Sequence, residues 1–151
     1  MNIGFWGLGK LGLPVALAAE SKGHKVFGYD ISEKTINNIK NRIIDYREIW
    51  VEDYLPITNL EILNIEQLVS KSDIIFICVG TPTKKNGNAA DLTQIFKVAN
   101  DISSSIFKFK IIITKSTVPV TTGDEIEKII LKKKSKKLFT VVSNPEFLRE
   151  G

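Results

Sequence analysis

A glycine cluster set between two kinds of periodicity does most to decide what this chain can become. Asn2 to Trp6 is a short apolar run, and Gly7-Leu8-Gly9-Lys10-Leu11-Gly12 follows it without a gap. A helical pattern then runs to about Lys22, and a second apolar run, Lys25 to Tyr29, ends at Asp30. G-x-G-x-x-G alone is weak. After a strand, opening a helix, and with an acidic residue about 20 positions on, it is the full dinucleotide fingerprint. Gly7 allows the tight turn, Gly9 lets backbone approach a pyrophosphate, and Gly12 permits close helix–strand packing. The phosphates would rest on the helix N-terminus, where free amides and the helix dipole favour anions.

Strand and helix patterns keep alternating after this unit. Ser32 is expected to cap a helix to about Arg42, with Glu33 in its first turn. Trp50, Val51, Tyr54 and Leu55 suit a short amphipathic helix ended by Pro56. Leu60 to Leu63 reads as a weak strand and Ile65 to Ser70 as a short helix. Ile74 to Val79 is the most strand-like run in the chain and encloses Cys78. Thr81 to Ala90 reads as loop, Asp91 as the cap of a helix to about Phe107, and Phe109 to Thr114 as a fifth strand. A helix over Thr122 to Lys134 and a sixth strand, Leu138 to Val142, complete the pattern. Six strands with helical crossovers make an α/β, doubly wound parallel sheet (Rossmann) with expected order 3-2-1-4-5-6. The expectation is one domain over residues 1–151.

Charge and cysteine usage exclude several classes. The net charge of +4 comes from Lys132, Lys133, Lys134, Lys136 and Lys137, without which the balance turns slightly negative. Nucleic-acid binding calls for a spread basic stripe; this cluster reads as one helix end, where cations complement the dipole. Residues 1 to 19 lack a basic n-region, and Lys10 with three glycines interrupts the apolar core, so no signal peptide is expected. No apolar run approaches a membrane span. The single cysteine, Cys78, allows no internal disulfide and fits a reducing cytoplasm. Within a strand it reads as a small buried hydrophobe. His24, the one histidine, follows Gly23 at a helix end and reads as a local or surface residue. No metal site is expected.

The topology brings three polar motifs together. Thr81-Pro82-Thr83 follows strand four, Lys115-Ser116-Thr117-Val118-Pro119 follows strand five, and Asn144 to Gly151 follows strand six. Ligands of open α/β sheets bind outside the carboxyl ends of the strands. Each motif alone is an ordinary turn or cap sequence. Together, beside the glycine loop, they form a polar rim where a nicotinamide ring and its substrate would lie. The carboxylates and guanidinium of Asn144-Pro145-Glu146-Phe147-Leu148-Arg149-Glu150-Gly151 are placed there for chemistry.

In order along the chain, Gly7 to Gly12, Thr81-Pro82-Thr83, Asp91-Leu92, Lys115 to Pro119 and Asn144 to Gly151 resemble the nucleotide-sugar 6-dehydrogenases acting on UDP-glucose or GDP-mannose, UDP-glucose being the nearer pattern. The resemblance spans the chain but only the N-terminal, NAD-binding domain of that family, with the middle and C-terminal substrate domains absent. It implies oxidation of a sugar C6 alcohol to a carboxylate with two NAD and a thioester on a cysteine that lies outside this chain. Gly7, Leu8, Gly9, Lys10, Leu11 and Gly12 would hold the pyrophosphate, and Asp30 the adenosine ribose hydroxyls. Val79, Gly80, Thr81, Pro82, Thr83, Ser116, Thr117 and Val118 would line the dinucleotide. Thr117 would also orient a catalytic water, with Glu146 as general base within its reach, directly or through one water. Glu150 would face the nicotinamide, and Glu146, Phe147, Leu148, Arg149 and Glu150 would contact the nucleotide sugar. The resemblance also implies the remainder of the dehydrogenase as partner and a full enzyme that is a homodimer or larger.

The chain departs from that pattern in places. Lys10-Leu11 stands where the family usually has Tyr-Val, Thr35 stands at a usual basic position near the adenine with Lys34 beside it, and a Glu-Pro-Gly-Leu segment is missing from the Asp45 to Leu55 region. Two classes of function follow: an enzyme domain, or a non-catalytic NAD-binding module. Thr117, Glu146 and Glu150 favour the first, because a binding module needs no water-activating carboxylate.

Overall fold

The computed structural model describes residues 1–84, 87 and 89–146. Six parallel strands, β1 (Asn2–Trp6), β2 (Lys25–Tyr29), β3 (Glu61–Ile62), β4 (Ile74–Ile77), β5 (Lys110–Thr114) and β6 (Phe139–Ser143), form one sheet in the order β3-β2-β1-β4-β5-β6. The helices are α1 (Gly12–Ser21), α2 (Glu33–Lys40), α3 (Ile49–Tyr54), α4 (Ile65–Lys71), α5 (Thr93–Ser105) and α6 (Thr122–Leu131). The chain order reverses beside β1 and β4, which opens a crevice at their carboxyl ends.

Strand alternation sorts the core into two layers. Ile3 and Phe5 of β1 pack with Leu8, Leu13 and Leu17 on the α1 face, and Phe5 stacks on Phe76 with ring centroids 5.0 Å apart. Trp6, Ile75, Ile77 and Ile112 face the other way and pack with α4, α5 and α6. Gly4 lets α4 lie close, since a Cβ there would meet the Ser72 hydroxyl oxygen at 2.4 Å. Burial of about 1.5–3 kcal/mol per large apolar side chain makes these layers the main source of stability.

Local rules explain most element ends. The Ser32 hydroxyl accepts from the Thr35 amide, and the Asn64 side chain from the Gln67 amide, satisfying helix N-terminal donors. Gly23, at φ +82°, ends the turn after α1. Four expectations need correction. Pro56 does not end α3: the helix stops at Tyr54, and Pro56 sits in a 3₁₀ turn over Leu55–Ile57, where its missing N–H costs nothing. Asp91 is not at the cap position, which Leu92 holds, although its carboxylate accepts from the Thr93 amide at 2.9 Å. Cys78 lies just past β4, not inside it, with its amide still bonded to the Trp6 carbonyl at 2.7 Å. The lysine run only begins at the end of α6: the helix closes at Leu131, not Lys134, with Lys132 at its C-cap and the Lys133 and Lys134 amides on the Ile130 carbonyl. Lys136 starts a 3₁₀ turn and pairs with Glu127, and Lys134 lies over the Phe107 ring.

Candidate functional site

The glycine loop leaves β1 and turns back over its own sheet. Gly7 takes φ +98°, and a Cβ there would strike the Cys78 carbonyl at 2.6 Å, so side chains are excluded twice over. The Gly7 amide donates to the Tyr29 carbonyl at 2.8 Å, tying the loop to β2. Gly12 is closed more tightly still: a Cβ would sit 1.9 Å from the Gly7 carbonyl oxygen. Gly9 differs, because nothing lies within 4 Å of a Cβ built on it. The loop is therefore shut on the protein side at Gly7 and Gly12 and open outward at Gly9.

Helix α1 starts with no side-chain cap and no acidic residue in its first turn. Leu13 already donates its amide to the Gly9 carbonyl at 3.1 Å and Pro14 carries no N–H, so the Gly12 amide at the helix start is the one turned to a ligand anion. Asp30 bridges the loop and β2: one carboxylate oxygen accepts from the Leu8 amide at 2.7 Å and the other from the Ser32 amide at 2.8 Å. Beside it lies a cavity of about 590 Å³. Gly7, Gly9, Asp30, Val79 and Gly80 line one side, and Trp6 and Tyr29, edge to face at 5.2 Å, form an aromatic wall. Gln94, Lys97 and Asp101 of α5 close the opposite side. Open glycine backbone, an uncapped helix amide, an anchored carboxylate and an aromatic wall fit a dinucleotide.

Lys34, next to the usual basic position near the adenine, pairs with Asp45 at 2.7 Å. That pairing raises the Lys34 ammonium pKa and lowers the Asp45 carboxyl pKa, each through the hydrogen bond first and the charge second. Lys10 is exposed and Leu11 half-buried at the outer lip of the loop. Cys78 lines the cavity yet is almost buried, and desolvation pushes its thiol up to about 12, against a smaller opposing effect of Lys115. A neutral thiol there is a packing group.

The other half of the rim is held by side chains reaching between loops. The buried Ser116 hydroxyl donates to the Val79 carbonyl at 2.7 Å, so Ser116 braces the loop after β4 from behind. Thr81 donates its hydroxyl to the Thr117 carbonyl at 2.9 Å, and Thr117 donates its own to the Glu146 carbonyl at 2.9 Å. Loops after β4, β5 and β6 are thereby tied in sequence. Thr117 meets the backbone of Glu146, while the Glu146 carboxylate turns to Lys115 at 2.5 Å. Val118 packs against the core, and Pro82 and Thr83 are exposed, with Thr83 bridged to Ala90. Phe147, Leu148, Arg149 and Glu150 lie outside the described residues.

Lys115 is the residue sequence reasoning passed over. It stood inside a quoted motif, but its meaning depends on β5–β6 register, which no local pattern shows. Gln94, Lys97 and Asp101 were also missed; their spacing marks one face of a helix and was the available signal. Among the described residues no group of His, Cys, Asp and Glu could hold a metal ion, and no helix is long and apolar enough to cross a membrane.

Residues 1–151 match the sequence model of the UDP-glucose/GDP-mannose dehydrogenase family, NAD binding domain. The chain belongs to this family. A UDP-glucose 6-dehydrogenase of Rhizobium meliloti is 39% identical over 157 residues, spanning 100% of this chain and 36% of that protein. The UDP-glucose 6-dehydrogenase TuaD of Bacillus subtilis is 40% identical over 155 residues, spanning 96% of this chain and 32% of that protein. Among solved structures, a ternary complex of GDP-mannose dehydrogenase from Pseudomonas aeruginosa superposes with TM-score 0.90 at 34% identity, over 99% of this chain and 37% of that one. A UDP-glucose dehydrogenase from Pyrobaculum islandicum gives TM-score 0.90 at 30% identity, with 99% and 37% coverage. This UDP-glucose/GDP-mannose dehydrogenase domain thus spans about a third of the length of the curated relatives it matches. NAD is the cofactor of the family's domain, and the cavity beside Asp30 is where this chain would hold it.

Proposed function

We propose that this chain is the NAD-holding domain of a cytoplasmic dehydrogenase that oxidises the C6 alcohol of UDP-glucose to a carboxylate. The observation that carries the reading is the tied rim, in which Thr117 fixes the backbone of Glu146 at the carboxyl end of β6. A module that only bound a dinucleotide would have no use for a carboxylate anchored there. NAD supplies a hydride acceptor, and conversion of an alcohol to a carboxylate passes two hydrides, to two NAD in turn, and consumes one water. In this reading the glycine loop and Asp30 bind and orient the cofactor, Thr117 orients the water, and Glu146 takes its proton, a role open to a positioned carboxylate. Phe147, Leu148, Arg149 and Glu150 are assigned to the nucleotide sugar and the nicotinamide side. The nucleophilic thiol comes from outside this chain, from the family's remaining region, and the assembled enzyme is a homodimer or larger.

GDP-mannose is the second substrate considered, because the structure at 34% identity and TM-score 0.90 is a GDP-mannose dehydrogenase. NADH formation with UDP-glucose and with GDP-mannose, by this chain alone and together with a region carrying the thiol, tests the reading. Turnover is expected only with both parts and is expected to stop in Glu146→Gln. Turnover by this chain alone, or full activity of Glu146→Gln, would overturn it.

A further inference from the structure

The Lys115 side chain is only 13% exposed, and that of Glu146 31%. The Lys115 ammonium donates to Asn144 Oδ1 at 3.1 Å and pairs with Glu146 Oε2 at 2.5 Å. The backbone of the same two residues is joined as well, with the Glu146 amide donating to the Lys115 carbonyl at 3.2 Å. Thr117, two residues on, adds its hydroxyl to the Glu146 carbonyl. The backbone of Glu146 is thus held at its amide and its carbonyl, and Lys115 holds the carboxylate. A surface ion pair would mean little. A lysine side chain so withdrawn from solvent is tolerated only where its partners are good, and an apolar residue would avoid that penalty.

We infer that Lys115 is a positioning residue of the site, helping to set which way the Glu146 carboxylate points at the joined ends of β5 and β6. This inference rests on the reading of Glu146 as the base. It differs from a plain structural clamp, since a clamp between β5 and β6 would already be served by the backbone bonds. The ammonium has three donors and no acceptor. Two of its directions are taken by Asn144 Oδ1 and Glu146 Oε2, which draws the carboxylate towards Lys115 while Thr117 holds the backbone carbonyl. Misplacement of a reacting group by about 1 Å costs on the order of 100-fold in rate.

The test uses the dehydrogenase assembled from this domain and the family's remaining region, with UDP-glucose and NAD. Lys115→Met is expected to lower kcat between about tenfold and 100-fold, with KM for NAD unchanged. Lys115→Arg, which keeps the cation and its donors, is expected to recover most of that loss. NAD binding, read from quenching of Trp6 in a Trp50→Phe background, reports whether each variant is folded. If Lys115→Met binds NAD normally and keeps its kcat while Glu146→Gln loses turnover, the positioning role is wrong and the base stands. If Glu146→Gln keeps turnover, the base reading itself fails. If Lys115→Arg is no better than Lys115→Met with NAD affinity intact, the cation is not what orients the carboxylate, and the inference is overturned.

Discussion

The two halves of the binding rim are built by opposite means. On the β1–β2 side the loop is shaped by absent side chains: Gly7 and Gly12 admit no Cβ, and the one side chain that matters, Asp30, is held by two backbone amides. On the β4–β6 side the loops are ordinary backbone joined by side chains, Thr81 to Thr117, Thr117 to Glu146, Lys115 to Glu146 and Asn144. A site that must receive an invariant cofactor group can be cut into backbone. A site that must aim a carboxylate needs adjustable side chains. The first half should therefore fail by losing its shape, and the second by losing its aim.

The largest expected effect is in the glycine half. Gly12→Val would drive atoms into the Gly7 carbonyl and towards Cys78 Cβ, 3.1 Å from a Cβ at that position, and should cost about 3 kcal/mol of stability, as overpacking of a closed site does. Urea denaturation would show it as a lower midpoint, with NAD binding lost. Gly9→Ala supplies the contrast. With nothing within 4 Å it should fold with an unchanged midpoint, yet weaken NAD by about tenfold or more, about 1.4 kcal/mol, because the methyl occupies the space for the pyrophosphate. Equal stability loss in both would break the distinction between closed and open glycines.

Cofactor choice comes next. Asp30 would meet a 2′-phosphate, and like charges about 4 Å apart repel by about 1 kcal/mol in water and about 4 kcal/mol at an effective dielectric near 20. Asp30 is half-buried, which places the preference for NAD over NADP at about 2 kcal/mol. Lys34 offers little relief, being paired with Asp45. Titration calorimetry with both cofactors measures the difference, and equal affinities would mean that Lys10 or Lys34 dominates the pocket.

These two halves also differ in how far the sequence disclosed them. Strand order, the glycine loop and Asp30 follow from contiguous motifs and periodicity, because their causes are local. The polar rim was legible as a set of strand-end motifs, but its wiring was not. That Lys115 faces Asn144 and Glu146 depends on Thr114 lying opposite Ser143, a long-range register. Likewise Pro56 was read as a helix stop by a local rule, whereas the 3₁₀ turn it enters is fixed from outside: Arg42 donates to the Leu55 carbonyl at 3.2 Å, and the Thr58 hydroxyl binds Glu20 of α1. Phe147 to Glu150, the most distinctive motif, was assigned by resemblance alone.

A smaller effect separates the halves dynamically. Thr117→Val removes one hydroxyl-to-carbonyl bond, worth about 1 kcal/mol. Local opening at Glu146 should then be about fivefold easier, read as faster hydrogen exchange of its amide, which donates to the Lys115 carbonyl. Exchange of the Leu8 amide, bound to Asp30, should not change. Loss of protection at both sites would mean that the rim is one cooperative unit.

The smallest expected effect is on stability against pH, and it too divides along the sheet. The β5 side buries a cation: Lys110 lies under the end of α4, donates to the Ser70 and Ser72 carbonyls, and is pushed down from 10.5 to about 8, chiefly by desolvation and then by Lys108. Between those values the unfolded chain holds a proton that the folded chain has released, so stability rises with pH from about 8. The glycine side and the seam beside it bury acids. The Cys78 thiol is pushed up from 9.0 to about 12 by burial, and the Tyr46 phenol from 10.0 to about 12, by burial first and then by Glu48 and Asp45. There the folded chain keeps protons that the unfolded chain loses, so stability falls with pH above about 9. Urea midpoints across this range should pass through a shallow maximum near pH 9. In Lys110→Met the rising limb should vanish while the falling limb remains. In Cys78→Ala the fall should begin later, nearer the range where Tyr46 alone acts. A rising limb that survives in Lys110→Met would show that the buried ammonium is fully compensated by its two carbonyls, and that the cost of burying charge on the β5 side has been assigned to the wrong group.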